Sequence, residues 1–149
     1  MRTATIALVA VAAIAAAVSA AAGEQRASSD AKFQVIVHED NRVTALSRKF
    51  VADAFLKKTT RWSDDDVIEP VDQKPRARVR QEFSRAVLKR SVAAVRSYWR
   101  QIVFSGRGVP PPELDGDDEV VEYVRQHRDA IGYVSADADV SGVRVVQVK

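Results

Sequence analysis

Between Arg76 and Arg100 eight basic side chains (Arg76, Arg78, Arg80, Arg85, Lys89, Arg90, Arg96 and Arg100) stand against one carboxylate, Glu82. From Glu113 to Glu122 the balance reverses, with six acids and no base. A cationic run is suited to holding an anion, and the same residues on helices also make ordinary solvated faces; the sequence leaves both readings open. His38 and Asp40, and again His127 and Asp129, form imidazole–carboxylate pairs two residues apart. Zinc needs three or four convergent ligands, and a chain with two histidines and no cysteine supplies them poorly, so no metal and no cofactor is implied. Asp64-Asp65-Asp66 and Asp117-Asp118-Glu119 lack the alternation and glycine of a calcium loop and read as turn and helix-cap residues. Ser105-Gly106-Arg107-Gly108 runs into prolines instead of lying between a strand and a helix, which weakens it as a nucleotide loop. Phe83 and Trp99 fall on apolar stripes instead of interleaving with the arginines, which argues against nucleic acid. Nothing in these groups assembles an enzyme.

The elements that carry these side chains follow from periodicity. Phe33–His38 is a largely apolar run that reads as a strand covered on both faces. Ser47 is placed to cap a helix whose apolar face is Phe50, Val51, Ala54 and Phe55. Thr59-Thr60 ends it, Ser63–Asp66 turns the chain, and Trp62 between them either closes the core or anchors a partner. Val67–Val71 is a short strand that Pro70 restricts to a sheet edge or a strand end. A helix from about Ala77 to Lys89 places Val79, Phe83, Ala86 and Val87 on one stripe. Ser91 caps the next, with Val92, Val95, Trp99, Ile102 and Val103 as its apolar face, and Gly106, Gly108 and Pro110–Pro112 stop it. Asp115 or Asp117 caps a helix bearing Val120, Val121, Tyr123 and Val124, with acids in its first turn where the helix dipole favours them. Strands at Ile131–Val134 and Val143–Val148 complete the order β-α-β-α-α-α-β-β, an α/β layer arrangement.

The N-terminus reads as an export signal over residues 1–22. Arg2 precedes an apolar stretch from Ala4 to Val18, and Val18-Ser19-Ala20 or Ala20-Ala21-Ala22 offers small-residue cleavage. That stretch is shorter than the ~20 residues of a usual bilayer span, so export and release is preferred over a retained anchor. A periplasmic or secreted protein with no stable membrane span after cleavage is expected. Residues 23–32 are a polar, flexible lead-in, and residues 33–149 form one domain. Without cysteine, the fold is held by burial alone.

Phe55-Leu56-Lys57 with Trp62 five residues on, Tyr98-Trp99, Phe104-Ser105-Gly106-Arg107-Gly108-Val109-Pro110-Pro111 and Ala130-Ile131-Gly132-Tyr133-Val134 occur here in an order and spacing that resemble the second lobe of phosphate ABC-transporter substrate-binding proteins. In particular they resemble short, exported, single-lobe members of that family. The resemblance covers roughly residues 33 to 148. It implies a single lobe like one domain of a type 2 periplasmic binding protein, with a mixed sheet flanked by helices, and a binding protein without catalysis.

This chain departs from the family pattern at three places. Lys57 stands where the family has the Gly of Phe-x-Gly, and Asp129 replaces the first Gly of Gly-Ala-Ile-Gly-Tyr. Ala77-Arg78-Val79 occupies the place of the Ser-Gly-Thr that cradles phosphate. The resemblance thus implies that phosphate or a similar oxyanion is held at this helix start by free N–H groups and by Lys74, Arg76 and Arg78. The alternative is a periplasmic protein–protein interaction module that has lost the ligand site and binds an envelope protein partner.

Overall fold

The computed structural model describes residues 32–149; the expected signal peptide and residues 23–31 of the lead-in lie outside the described residues. Five strands form a mixed sheet in the order β2-β7-β1-β6-β3. They are β1 (Phe33–His38), β2 (Ala45–Leu46), β3 (Glu69–Pro70), β6 (Ala130–Ser135) and β7 (Val143–Val148). β1 runs antiparallel to both β6 and β7, with Val35 opposite Tyr133 on one side and Val146 on the other. β2 and β3 are parallel additions at the two edges. Pro70 therefore sits on an edge strand, where its missing N–H leaves no gap in an interior ladder.

Strand alternation divides the core into two. Val35, Val37, Ile131 and Tyr133 point to one face, where α1 (Arg48–Phe55), α2 (Arg78–Phe83) and α3 (Val92–Phe104) cover them. Ile36, Ala130 and Val134 point to the other, under Val120, Val121 and Val124 of α4 (Asp117–Gln126). Covering on both faces is why β1 and β6 are nearly continuous apolar runs. On the first face Phe83 stacks on Tyr133 at 3.8 Å and 5° between planes, with Phe55 and Phe33 packed against Phe83. On the second face α4 comes so close that a Cβ on Gly132 would lie 2.7 Å from Val120 Cγ1. Trp62 closes the core: it is buried, packs against Phe50, and donates its indole N–H to the Asp129 carbonyl at 3.2 Å.

Ser47 and Ser91 cap α1 and α3 through their hydroxyls, accepting from the N–H groups of Phe50 and Ala94. The last turn of α1 ends with Lys58 N–H donating to the Asp53 carbonyl at 2.8 Å and Lys57 N–H to that of Ala54 at 3.0 Å. This Schellman arrangement puts Lys57 at φ 50°, the left-handed region a glycine would enter most easily.

Three sequence expectations change, and one strand pair is new. The helix expected from Ala77 to Lys89 is α-helical only to Phe83 and continues as a π-helix over Ser84–Leu88. The N-cap of α4 is Gly116 and neither Asp115 nor Asp117, because the Asp117 carboxylate is used elsewhere: it accepts from Gln73 Nε2 and from the Ser135 N–H. Val103, expected on the core face of α3, is exposed, since the last turn of that helix runs out past the sheet-facing core. Two-residue strands β4 (Asp72–Gln73) and β5 (Glu113–Leu114) pair in parallel apart from the main sheet, and the alternation of so short a pair is not readable in sequence.

Candidate functional site

A four-residue turn, residues 74–77, joins β4 to α2, and at this junction polar side chains enter the interior. Arg80, 1% exposed, donates from Nη1 to the Gln73 carbonyl at 2.5 Å and pairs ionically with Asp72, Nη1 lying 2.6 Å from Oδ1. The same nitrogen lies 3.5 Å from Glu113 Oε1 on β5. Asp72 also accepts from the Tyr133 hydroxyl and, at 2.9 Å, from the Gln73 N–H. Gln73 Nε2 donates to Asp117 Oδ1 at 2.8 Å and to the Tyr133 carbonyl at 3.0 Å, tying the junction to α4 and β6. Burial raises the Asp72 carboxyl above its ordinary range, opposed first by the Arg80 charge and then by the Tyr133 hydrogen bond. Burial beside the Asp72 carboxylate likewise pushes the Tyr133 phenol up. The buried Arg80–Asp72 pair and the Arg80–Gln73 hydrogen bond tie α2 to β4.

Outside this buried floor, the start of α2 borders a hollow of about 650 Å³ lined by Lys74, Pro75, Arg76, Ala77, Arg96, Asp115 and Gly116. Ala77, the N-cap, makes no side-chain cap hydrogen bond, so the first N–H groups of α2 have no capping side chain. Lys74 donates to Asp115 Oδ2 at 2.7 Å, and this contact holds its ammonium pKa above the ordinary value. Arg76 and Arg96 have no ion-pair partner among the described residues. The hollow thus presents three cations against one carboxylate.

Of the three residues expected to hold an anion, Lys74 and Arg76 share this hollow. Arg78 is not among its lining residues, and its guanidinium is drawn along the helix to Glu82 at 3.0 Å. Arg96 comes to the hollow from α3, twenty residues from Arg76; the basic run marks it as cationic, but its position depends on how α3 packs. Arg80 was one more member of the same run in sequence, and nothing in its spacing separates a buried arginine from the exposed ones.

A second depression of about 530 Å³ lies beside the first, between α3 and the proline-bearing segment that follows it. Its lining is largely apolar, with Trp99, Val103, Phe104, Pro110 and Pro111, and it shares Arg96 with the first hollow. The histidines belong to neither. The His38 ring accepts from the Asp40 N–H at 3.1 Å, and His127 stacks on Tyr123 with Nδ1 2.7 Å from the Tyr123 carbonyl, so both serve local chain ends. Among the described residues, no group of three or more His, Asp or Glu side chains is placed to hold a metal, and no helix is long and apolar enough to cross a membrane.

No protein-family model matches the chain, and no curated protein is similar to it in sequence. Solved structures do match. A Clostridium perfringens protein assigned as a phosphate ABC transporter substrate-binding protein, with phosphate bound, aligns at TM-score 0.62 and 23% identity over 78% of this chain and 44% of that one. An ABC-type phosphate transport receptor from Vibrio cholerae aligns at 0.53 and 16% over 78% and 46%, and PstS from Borrelia burgdorferi at 0.55 and 11% over 79% and 47%. The chain spans less than half the length of each of these structures. At such identities the likeness is one of fold: a mixed sheet with flanking helices, built as a single lobe of the phosphate-binding-protein type.

Proposed function

We propose that this chain is an exported, non-catalytic lobe of substrate-binding-protein type that captures phosphate or a similar oxyanion at the start of α2. The observation that carries this reading is the convergence of Lys74, Arg76 and Arg96 on a helix start without a side-chain cap. Free N–H groups, the positive end of the helix dipole and guanidinium donors together favour an anion at this point. Arg78, on the first turn, adds charge at the rim while paired to Glu82. The phosphate-binding proteins that share the fold support the choice of ligand, and the apolar stretch after Arg2 supports export to the periplasm or beyond.

Thermal unfolding with and without millimolar phosphate or sulfate, at matched ionic strength, tests the proposal. A ligand that binds only the folded state stabilises it by about 2.7 kcal/mol at 100 times its dissociation constant. Phosphate is expected to raise the melting temperature, Arg76→Ala to abolish the rise, and Arg78→Ala to reduce it less. A rise that survives Arg76→Ala moves the site elsewhere. No rise with either anion removes the oxyanion reading and leaves a protein-interaction module as the better account.

A further inference from the structure

The depression beneath the last turns of α3 is a separate site with a different chemistry. Its lining carries an apolar group, Trp99, Val103, Phe104, Pro110 and Pro111, beside charged side chains. Phe104 is 95% exposed and Val103 49%, although the same helix buries Val95 and Trp99. An apolar stripe that runs off the core onto a concave surface is free to contact a ligand.

The polar groups here carry a net positive charge. Asp72 and Glu113 both pair with the Arg80 guanidinium, which leaves Arg96 and Arg100 without a carboxylate at the depression among the described residues. Arg100 donates to a neutral partner, Ser97 Oγ, at 2.7 Å. Arg80 lines the depression as well, and its Nε is a buried donor with no hydrogen-bond partner among the described residues. Apolar walls, a surplus of guanidinium and an unmade buried donor complement one kind of small molecule.

We propose that this depression binds an amphipathic organic anion, a single acidic head group joined to an apolar body. The head lies toward Arg80 and Arg100, leaving Arg96 to the oxyanion hollow it also lines, and the body lies over Trp99 and between Phe104 and the prolines. Its volume, about 530 Å³, is within the roughly 300–1,000 Å³ usual for small-molecule sites. Inorganic phosphate has no apolar body to use these walls, so this site is distinct from oxyanion capture at the start of α2.

The fluorescent probe 8-anilinonaphthalene-1-sulfonate, which combines an aromatic body with an anionic head, tests the inference on the purified protein. Saturable binding of one probe per chain is expected, with energy transfer from tryptophan. Arg100→Gln and Phe104→Ser are both exposed substitutions, and an unchanged melting temperature checks that the fold is kept. Each is expected to weaken binding by about tenfold, the size of one charge-assisted hydrogen bond or one aromatic contact. Decanoate is expected to displace the probe, whereas decanol and phosphate at matched ionic strength are not. Arg76→Ala is expected to leave probe binding unchanged, which separates this site from the oxyanion hollow. Non-saturable binding, binding indifferent to both variants, or displacement by phosphate alone or by decanol as readily as by decanoate overturns the inference.

Discussion

The two faces of the sheet are closed by different means. Under α4 the contact is aliphatic and close: Ile36, Ala130 and Val134 meet Val120, Val121 and Val124, and Gly132 removes the one side chain that would hold the helix away. Under α1, α2 and α3 the filling is aromatic, and at its margin the interior becomes polar, with Asp72, Gln73 and Arg80 buried beside Tyr133. Both candidate sites border the face covered by α1, α2 and α3. A face sealed by small aliphatic groups offers no donors to a ligand. A face whose margin is set by ion pairs and helix ends leaves hollows with charge at their edges.

Breaking the polar margin is expected to have the largest effect. Arg80→Met leaves the Asp72 carboxylate buried without its cation, and losing one partner of a buried pair costs about 3–5 kcal/mol. Urea unfolding checks this; a loss below about 1 kcal/mol would mean that the pair does not hold the β4–α2 junction together. On the sealed face, Gly132→Ala is expected to cost about 1–3 kcal/mol, because its Cβ would meet Val120 Cγ1 at 2.7 Å and a helical valine has little rotamer freedom to yield. Thermal unfolding measures it, and an unchanged midpoint would show that α4 is less tightly seated than the contact distance requires. The smallest effect is a gain. Lys57→Gly relieves a left-handed lysine at the end of α1 and is expected to stabilise the fold by up to about 1 kcal/mol, read by the same unfolding curve. A loss at this position would instead show that the Lys57 side chain contributes more than its backbone strain costs.

How far the sequence could be read depended on the range of the interaction. β1, α1, α3, β6 and β7 were legible because each carries a local signal: an apolar run, a serine cap, or a glycine and prolines at the end. Pro70 marked an edge strand for a purely local reason, its missing N–H. The two-residue strands β2, β4 and β5 were not legible, since pairing across the chain, not alternation, defines them. The N-cap of α4 moved to Gly116 because Asp117, a good cap in isolation, had better partners in Gln73 and Ser135. At the candidate site Lys74 and Arg76 could be placed from a predicted helix start, whereas Arg96 could not, because it reaches them across the packing of α3 on α2.

By itself the amino-acid sequence determined the order of the main elements, the apolar stripes that become the core, the surplus of positive charge from Arg76 to Arg100, and the motifs through which the lobe resembles phosphate-binding proteins. These are properties of composition and of spacings within a few turns of helix or strand. Tertiary structure alone decided which arginine goes inside, which cations gather at one hollow, and where an apolar stripe leaves the core. Each of those outcomes depends on burial and on partners far away in the chain: Arg80 is interior because Asp72 and the Gln73 carbonyl receive it, while Arg78, two residues earlier on the same helix, turns outward to Glu82.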